Sequence, residues 1–196
     1  MLKTQSTTTF IDYASRLSSC LEAYDWSPLQ LLANELAKIW NDKQHLFICG
    51  NGGSAANALH LATDLIYGIG QGKRPGMKVH ALTSNPAVIT CLGNDTSYEE
   101  IFSCQLDALS TPGDILIVLS GSGNSKNILH ILKKARSLGV KSWAILGFSG
   151  GQAKELADHV IHFPIDDMQI AEDLQMIVGH MLMKELSDYH RNKQKK

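Results

Sequence analysis

Residues 49–65 read Cys-Gly-Asn-Gly-Gly-Ser-Ala-Ala-Asn-Ala-Leu-His-Leu-Ala-Thr-Asp-Leu and follow an apolar run from His45 to Ile48. That run is short enough for a buried strand, and the spacing of Leu59, Ala62 and Leu65 is helical. A strand, a tight glycine turn and a helix opening at Ser54 are therefore expected. The N-terminus of such a helix presents unpaired N–H groups and the positive end of its dipole, and glycines let a ligand approach the backbone closely. Asn51, Gly52, Gly53 and Ser54 thus form a candidate anion cradle. The same helix carries His60 and Asp64, four apart and so on one face. Taken alone, a structural turn and a surface ion pair account for these residues as well. Gly50, Gly52 and Ala55 also fit the loose dinucleotide pattern, which needs an acid near the end of the next strand. Ala81-Leu82-Thr83 carries none, and NAD binding is excluded.

A second turn of the same kind strengthens the reading of the first. Ile115 to Leu119 is a continuous β-branched and leucine run, as expected of a parallel strand covered on both faces. It ends in Ser120-Gly121-Ser122-Gly123-Asn124-Ser125, and Ile128, Ile131, Leu132 and Ala135 then mark an amphipathic helix. Ligands bind at the carboxyl ends of strands in open α/β sheets. Backbone N–H groups and the hydroxyls of Ser120, Ser122 and Ser125 supply several phosphate donors without a positive side chain. No lysine stands in Walker-A spacing, which argues against a nucleoside triphosphate. A small phosphorylated metabolite fits, with a Ser/Gly linker turn as the structural alternative.

The rest of the chain frames these turns. With 196 residues and 44% hydrophobic content, one good core and one domain are expected. A net charge of −1 leaves no electrostatic footprint for nucleic acid or an anionic membrane. The polar start and the lack of a long apolar run predict neither a signal peptide nor a membrane span, hence the cytoplasm. Cys20, Cys49, Cys91 and Cys104 are widely spaced in apolar contexts and read as buried free thiols.

Two helices precede the first strand. The second opens at Ser27-Pro28, read as an N-cap and a first-turn proline. Residues 1–44 carry too little basic charge for a DNA-binding head and are expected to pack on the core or on another subunit. Tyr67 to Gly76 reads as a loop, Lys78 to Leu82 as a strand, and Asn85-Pro86 as a helix start. Gly93-Asn94-Asp95 is expected to break that helix, which resumes from Tyr98 to Leu109. Trp143 to Leu146 and Val160 to Phe163 complete five strands, with a short helix opening at Gly150-Gly151 between them. The acidic Asp166 to Asp173 segment caps a long last helix bearing Glu172, Gln175 and His180, and residues 190–196 form a basic tail. A lone histidine among leucines and methionines is by itself most simply a core histidine.

In their order, the two glycine turns, Gly93-Asn94-Asp95 and the His180-bearing last helix resemble the sugar isomerase (SIS) domain family, and within it the phosphoheptose isomerases of bacterial heptose synthesis. The resemblance covers nearly the whole chain. It implies a parallel five-stranded sheet between helices, a homotetramer, and the aldose–ketose isomerisation of sedoheptulose 7-phosphate to glycero-manno-heptose 7-phosphate through an enediol. It places Asn51, Gly52, Gly53, Ser54, Asn94 and Asp95 on the substrate and Ser120, Gly121, Ser122 and Ser125 on its phosphate. It implies one zinc ion at His60, Asp64, Glu172 and His180, with Glu172 also near substrate, and Asp64 and His180 as catalytic base and acid. Asp64 stands for the family's glutamate, Glu172 for its glutamine and Gln175 for its usual histidine, and the loop after Tyr67 lacks the arginine the enzymes carry. The competing resemblance is to the replication-initiator-associating SIS adaptor, which lacks the acid and the histidine that Asp64 and His180 supply here.

One geometric consequence bears on assembly. On a continuous helix Glu172 and His180 lie about 12 Å apart along the axis and are rotated by roughly 80°. To share an ion, the helix must begin after Glu172 or a neighbouring chain must supply one of them. The resemblance decides between them, since the tetramers of that family bring the C-terminal helices together, and it implies active sites formed between subunits, with Asp64 and His180 drawn from different copies.

Overall fold

A computed structural model describes residues 8–70 and 75–193. Five parallel strands run β1 (His45–Gly50), β2 (Lys78–Ala81), β3 (Ile115–Ser120), β4 (Lys141–Leu146) and β5 (His159–His162), in the order β2-β1-β3-β4-β5. The helices are α1 (Thr8–Glu22), α2 (Ser27–Asp42), α3 (Gly53–Thr63), α4 (Pro86–Asp95), α5 (Ser103–Leu109), α6 (Lys126–Leu138), α7 (Ala153–Leu156) and α8 (Met168–Lys193). This is the single α/β domain that the two turns predict.

The sheet is buried on both faces because successive strand residues point to opposite sides. Leu46, Ile48, Ile115, Ile117, Leu119, Trp143 and Ile145 join one core with α2, α3 and α8. Phe47, Cys49, Leu116, Val118, Ala144 and Leu146 join the other with α5 and α6. The first pair of helices packs on the core of its own chain: α2 buries Leu32 and Leu36, and α1 is pinned to α8 by Tyr13 Oη donating to Asp173 at 2.6 Å and to the residue just before α8 by the Arg16–Asp167 ion pair at 2.9 Å. Trp143 is fully buried and its Nε1 donates to Glu35 at 2.8 Å. Truncation to alanine should cost about 3–5 kcal/mol, read as a lower urea midpoint, because it opens a cavity and removes a partner of Glu35.

Several local expectations are corrected. Asp25, not Ser27, satisfies the start of α2: its carboxylate accepts from the Ser27 backbone N–H at 3.0 Å. The α4 helix runs through Gly93 to Asp95, since one internal glycine costs a helix only about 1 kcal/mol. Tyr98 to Leu109 divides into a 3₁₀ turn, Tyr98–Glu100, and α5. Tyr67 and Gly68 belong to a π-helical turn, Asp64–Gly68, that prolongs α3, while 71–74 lie outside the described residues. Among the thiols Cys49 is buried, which pushes its pKa up, but Cys91 is exposed. The basic ending is helical as far as Lys193. Among the described residues no helix is long and apolar enough to cross a membrane.

Candidate active site

The strand order places the site. From β1 the chain crosses outward to β2, and from β3 it crosses the other way to β4, so the carboxyl ends of β1 and β3 flank the topological switch point where doubly wound sheets bind ligands. Both glycine turns leave the sheet there. A cleft of about 270 Å³ is lined by Asn51 to Ser54 from the first turn and by Ser120, Gly121, Ser122 and Ser125 from the second. The first turn needs Gly52 at φ 56° and the second needs Gly123 at φ 66°, where a Cβ would also meet the Gly150 carbonyl at 1.9 Å. The loop after β4 braces the second turn, with Ala153 N–H donating to the Gly123 carbonyl at 2.9 Å.

A reciprocal amide pair ties the two turns together. Asn51 Nδ2 donates to Asn127 Oδ1 at 2.9 Å, and Asn127 Nδ2 returns a bond to Asn51 Oδ1 at 2.9 Å. Tyr98 Oη adds a third bond to Asn51 Oδ1 at 3.1 Å. Neither Asn127 nor Tyr98 was foreseen from sequence. Asn127 could have been found, because it stands four residues before Ile131 on the apolar stripe of α6 and is only 1% exposed, and a polar residue there must have a partner. Asn94 and Asp95, expected on the substrate, are exposed at the end of α4 and bonded to each other at 2.8 Å; neither lines the cleft.

Helices α3 and α8 hold the second cluster. Asn57 on α3 donates to the Glu172 carbonyl at 3.0 Å and to Gln175 Oε1 at 3.1 Å. Gly179 lets the helices close, since a Cβ there would lie 1.9 Å from Leu61 Cδ2. One turn further on, His60 Nε2 and His180 Nε2 approach to 3.1 Å, and Asp64 Oδ2 lies 3.5 Å from the first and 3.6 Å from the second. The Asp64 oxygen is buried with no hydrogen-bond partner. At most one proton fits between the two imidazole nitrogens, so an orphaned carboxylate oxygen facing both is better satisfied by a cation than by hydrogen bonding. The three ligand atoms could hold a metal ion.

Glu172 is not with them. Its carboxylate crosses to the first glycine turn, where a Cβ on Gly53 would lie 2.2 Å from Oε2. Both Glu172 and His180 stand on one continuous α8, so the separation along the helix is real, and it is resolved by giving the two residues different neighbours. Of the four residues expected to hold the ion, His60, Asp64 and His180 bring their ligand atoms together. The expected division of Asp64 from His180 between copies is corrected too, because both meet within one chain.

The SIS domain model matches residues 9–147. A phosphoheptose isomerase of Akkermansia muciniphila is 42% identical over 137 residues, 70% of this chain and 72% of that one. One from Helicobacter pylori strain Shi470 is 38% identical over 148 residues, 76% of this chain and 77% of that one. The solved phosphoheptose isomerase of Francisella tularensis superposes with a TM-score of 0.86 at 26% identity, covering 93% of this chain and 96% of that one. With the doubly wound sheet, the paired glycine turns and matches of this extent, the chain belongs to the SIS-domain family and, within it, to the phosphoheptose isomerases.

Proposed function

We propose that the chain is an aldose–ketose isomerase that converts sedoheptulose 7-phosphate to glycero-manno-heptose 7-phosphate in the cytoplasm, as a homotetramer. The observation that carries this reading is the joining, by α3 and α8, of a neutral phosphate cradle to a cluster of two imidazoles and a carboxylate. The similarity to phosphoheptose isomerases supports a phosphorylated heptose as the sugar.

In this reading the N-terminus of α6 and the hydroxyls of Ser120, Ser122 and Ser125 hold the phosphate with N–H and O–H donors. The amide pair of Asn51 and Asn127 keeps the turns in register and orients the open-chain sugar. Asp64 accepts the C1 proton of the ketose and returns it at C2, while His180 moves the proton between the two oxygens. The Asp64 oxygen that faces the imidazoles is Oδ2, which leaves Oδ1 for proton transfer.

The ion we assign to His60, Asp64 and His180 is zinc. Zinc–ligand bonds of about 2.1 Å in a tetrahedron separate ligand atoms by roughly 3.4 Å, close to the 3.1, 3.5 and 3.6 Å here. Two histidines, one carboxylate and an open position are the ligand set of a catalytic zinc site. When bound, it supplies a Lewis acid for the negative charge that develops on the enediol oxygens.

The test is incubation of the metal-loaded protein with a panel of ketose and aldose phosphates, followed by NMR. Conversion of sedoheptulose 7-phosphate supports the assignment, and inertness toward every sugar phosphate refutes it. A further consequence concerns assembly. Asp64→Ala and His180→Ala chains, each inactive alone, should stay inactive when co-assembled, since every site then lacks one of the two residues. Activity regained on mixing would mean that a site draws on two subunits.

A further inference from the structure

Tyr98 is 60% exposed and lies in neither core, yet its hydroxyl reaches the wall of the cleft and donates to Asn51 Oδ1 at 3.1 Å. Its turn is fastened for that reach. Glu99 and Glu100, the rest of the 3₁₀ turn, meet α6, the helix whose N-terminus opens at the second glycine turn: Lys126 Nζ lies 2.8 Å from Glu99 Oε1, and His130 Nδ1 lies 3.0 Å from Glu100 Oε1. Burial does not explain where this ring stands, but the Asn51 amide does. The pair of Asn51 and Asn127 is self-complementary and would close as well with both amides turned over, Asn51 then presenting oxygen where it now presents nitrogen. Tyr98 removes that choice. The two lone pairs of Asn51 Oδ1 are taken by Asn127 Nδ2 and Tyr98 Oη, and of the two hydrogens on Asn51 Nδ2 one goes to Asn127 Oδ1. Among the described residues, the second Nδ2 hydrogen is what this lining residue of the cleft has left for a ligand.

We infer that Tyr98 is a positioning residue for the sugar: its hydroxyl fixes the polarity of the Asn51 amide, so that Asn51 offers a donor and no acceptor to an oxygen of the sugar chain. The inference rests on the isomerase reading for the occupant of the cleft. Hydroxyl and carbonyl oxygens both accept hydrogen bonds, so one fixed N–H serves the ketose, the aldose and what lies between them alike. Tyr98 thus strengthens binding along the whole reaction path and touches no reacting atom. Removing its hydroxyl frees the amide to turn and to bond water, which weakens the hold on the sugar by about three- to tenfold, the worth of one neutral hydrogen bond. Loss of uniform binding raises KM and leaves kcat in place.

The test compares the metal-loaded protein with Tyr98→Phe, which keeps the ring and removes the donor, by steady-state turnover of sedoheptulose 7-phosphate and by inhibition with inorganic phosphate. KM should rise about three- to tenfold, with kcat, the inhibition constant of phosphate, the zinc content and the urea midpoint almost unchanged. In an Asn51→Ala background the same substitution should raise KM no further, because Tyr98 acts through Asn51. An unmoved KM overturns the inference, and so does a fall in kcat, which would put the phenol on the reacting atoms. A loss shared by phosphate and sugar overturns it as well, since the turn would then support the whole cleft and not this one amide. If the unmodified chain turns over no sugar phosphate, the failure is that of the isomerase reading, and the inference falls with it.

Discussion

Exchanging Asp64 for asparagine lowers turnover of sedoheptulose 7-phosphate by about a thousandfold, within the range that positioned acid–base groups contribute. Asparagine matches aspartate in shape, so α3 and its π-helical turn persist, but the amide cannot accept the substrate proton at neutral pH. It also removes the negative charge from an oxygen that lies 3.5 and 3.6 Å from two imidazole nitrogens. Zinc content should therefore fall as well. The two effects separate when excess zinc is supplied: occupancy returns, while turnover remains low. A variant that regains full turnover with zinc would show Asp64 to be a ligand and not the proton acceptor.

Replacing Ser122 with leucine should weaken binding of sugar phosphates and of inorganic phosphate by about a hundredfold or more. A lost hydrogen bond to a charged group accounts for roughly 1.5–3 kcal/mol, and the leucine side chain adds bulk where the phosphate must sit. The Ser122 hydroxyl also accepts the Asn124 backbone N–H at 3.3 Å, so the turn itself loses a bond. Ser122 is only part-buried, outside both cores, and the urea midpoint should move little. Calorimetry beside denaturation therefore distinguishes a binding defect from a folding one. Unchanged phosphate affinity would remove the second turn from the site.

Much of this architecture is legible in the sequence for simple reasons. A buried parallel strand is a short apolar run, and a turn that must adopt positive φ is marked by glycine, so β1, β3 and both cradles can be read directly. His60 and Asp64 are visible as a helical pair because four residues return to the same face. His180 has no such local signal, since its partners lie 120 and 116 residues away, and only the family resemblance brings it in. The π-helical turn at Asp64 is equally silent, because one shifted backbone hydrogen bond, from Ile69 N–H to the Asp64 carbonyl, leaves no mark in the residue pattern.

Glu172 and His180 share one helix but have different neighbours. Eight residues on a continuous helix set the two side chains apart, and within this chain Glu172 faces Gly53 while His180 faces His60 and Asp64. The Asn51–Asn127 pair is the complementary case, because a polar residue on an apolar stripe is buried only with a partner.

The reaction itself is tested by running it in deuterium oxide with zinc-loaded protein and sedoheptulose 7-phosphate, and following the aldose product by proton and carbon NMR. Proton transfer through an enediol at Asp64 predicts glycero-manno-heptose 7-phosphate with solvent deuterium at C2. Product formed without deuterium would point to transfer shielded from solvent or to a hydride shift, and no product from a chain that binds both zinc and the sugar phosphate would contradict the isomerase assignment outright.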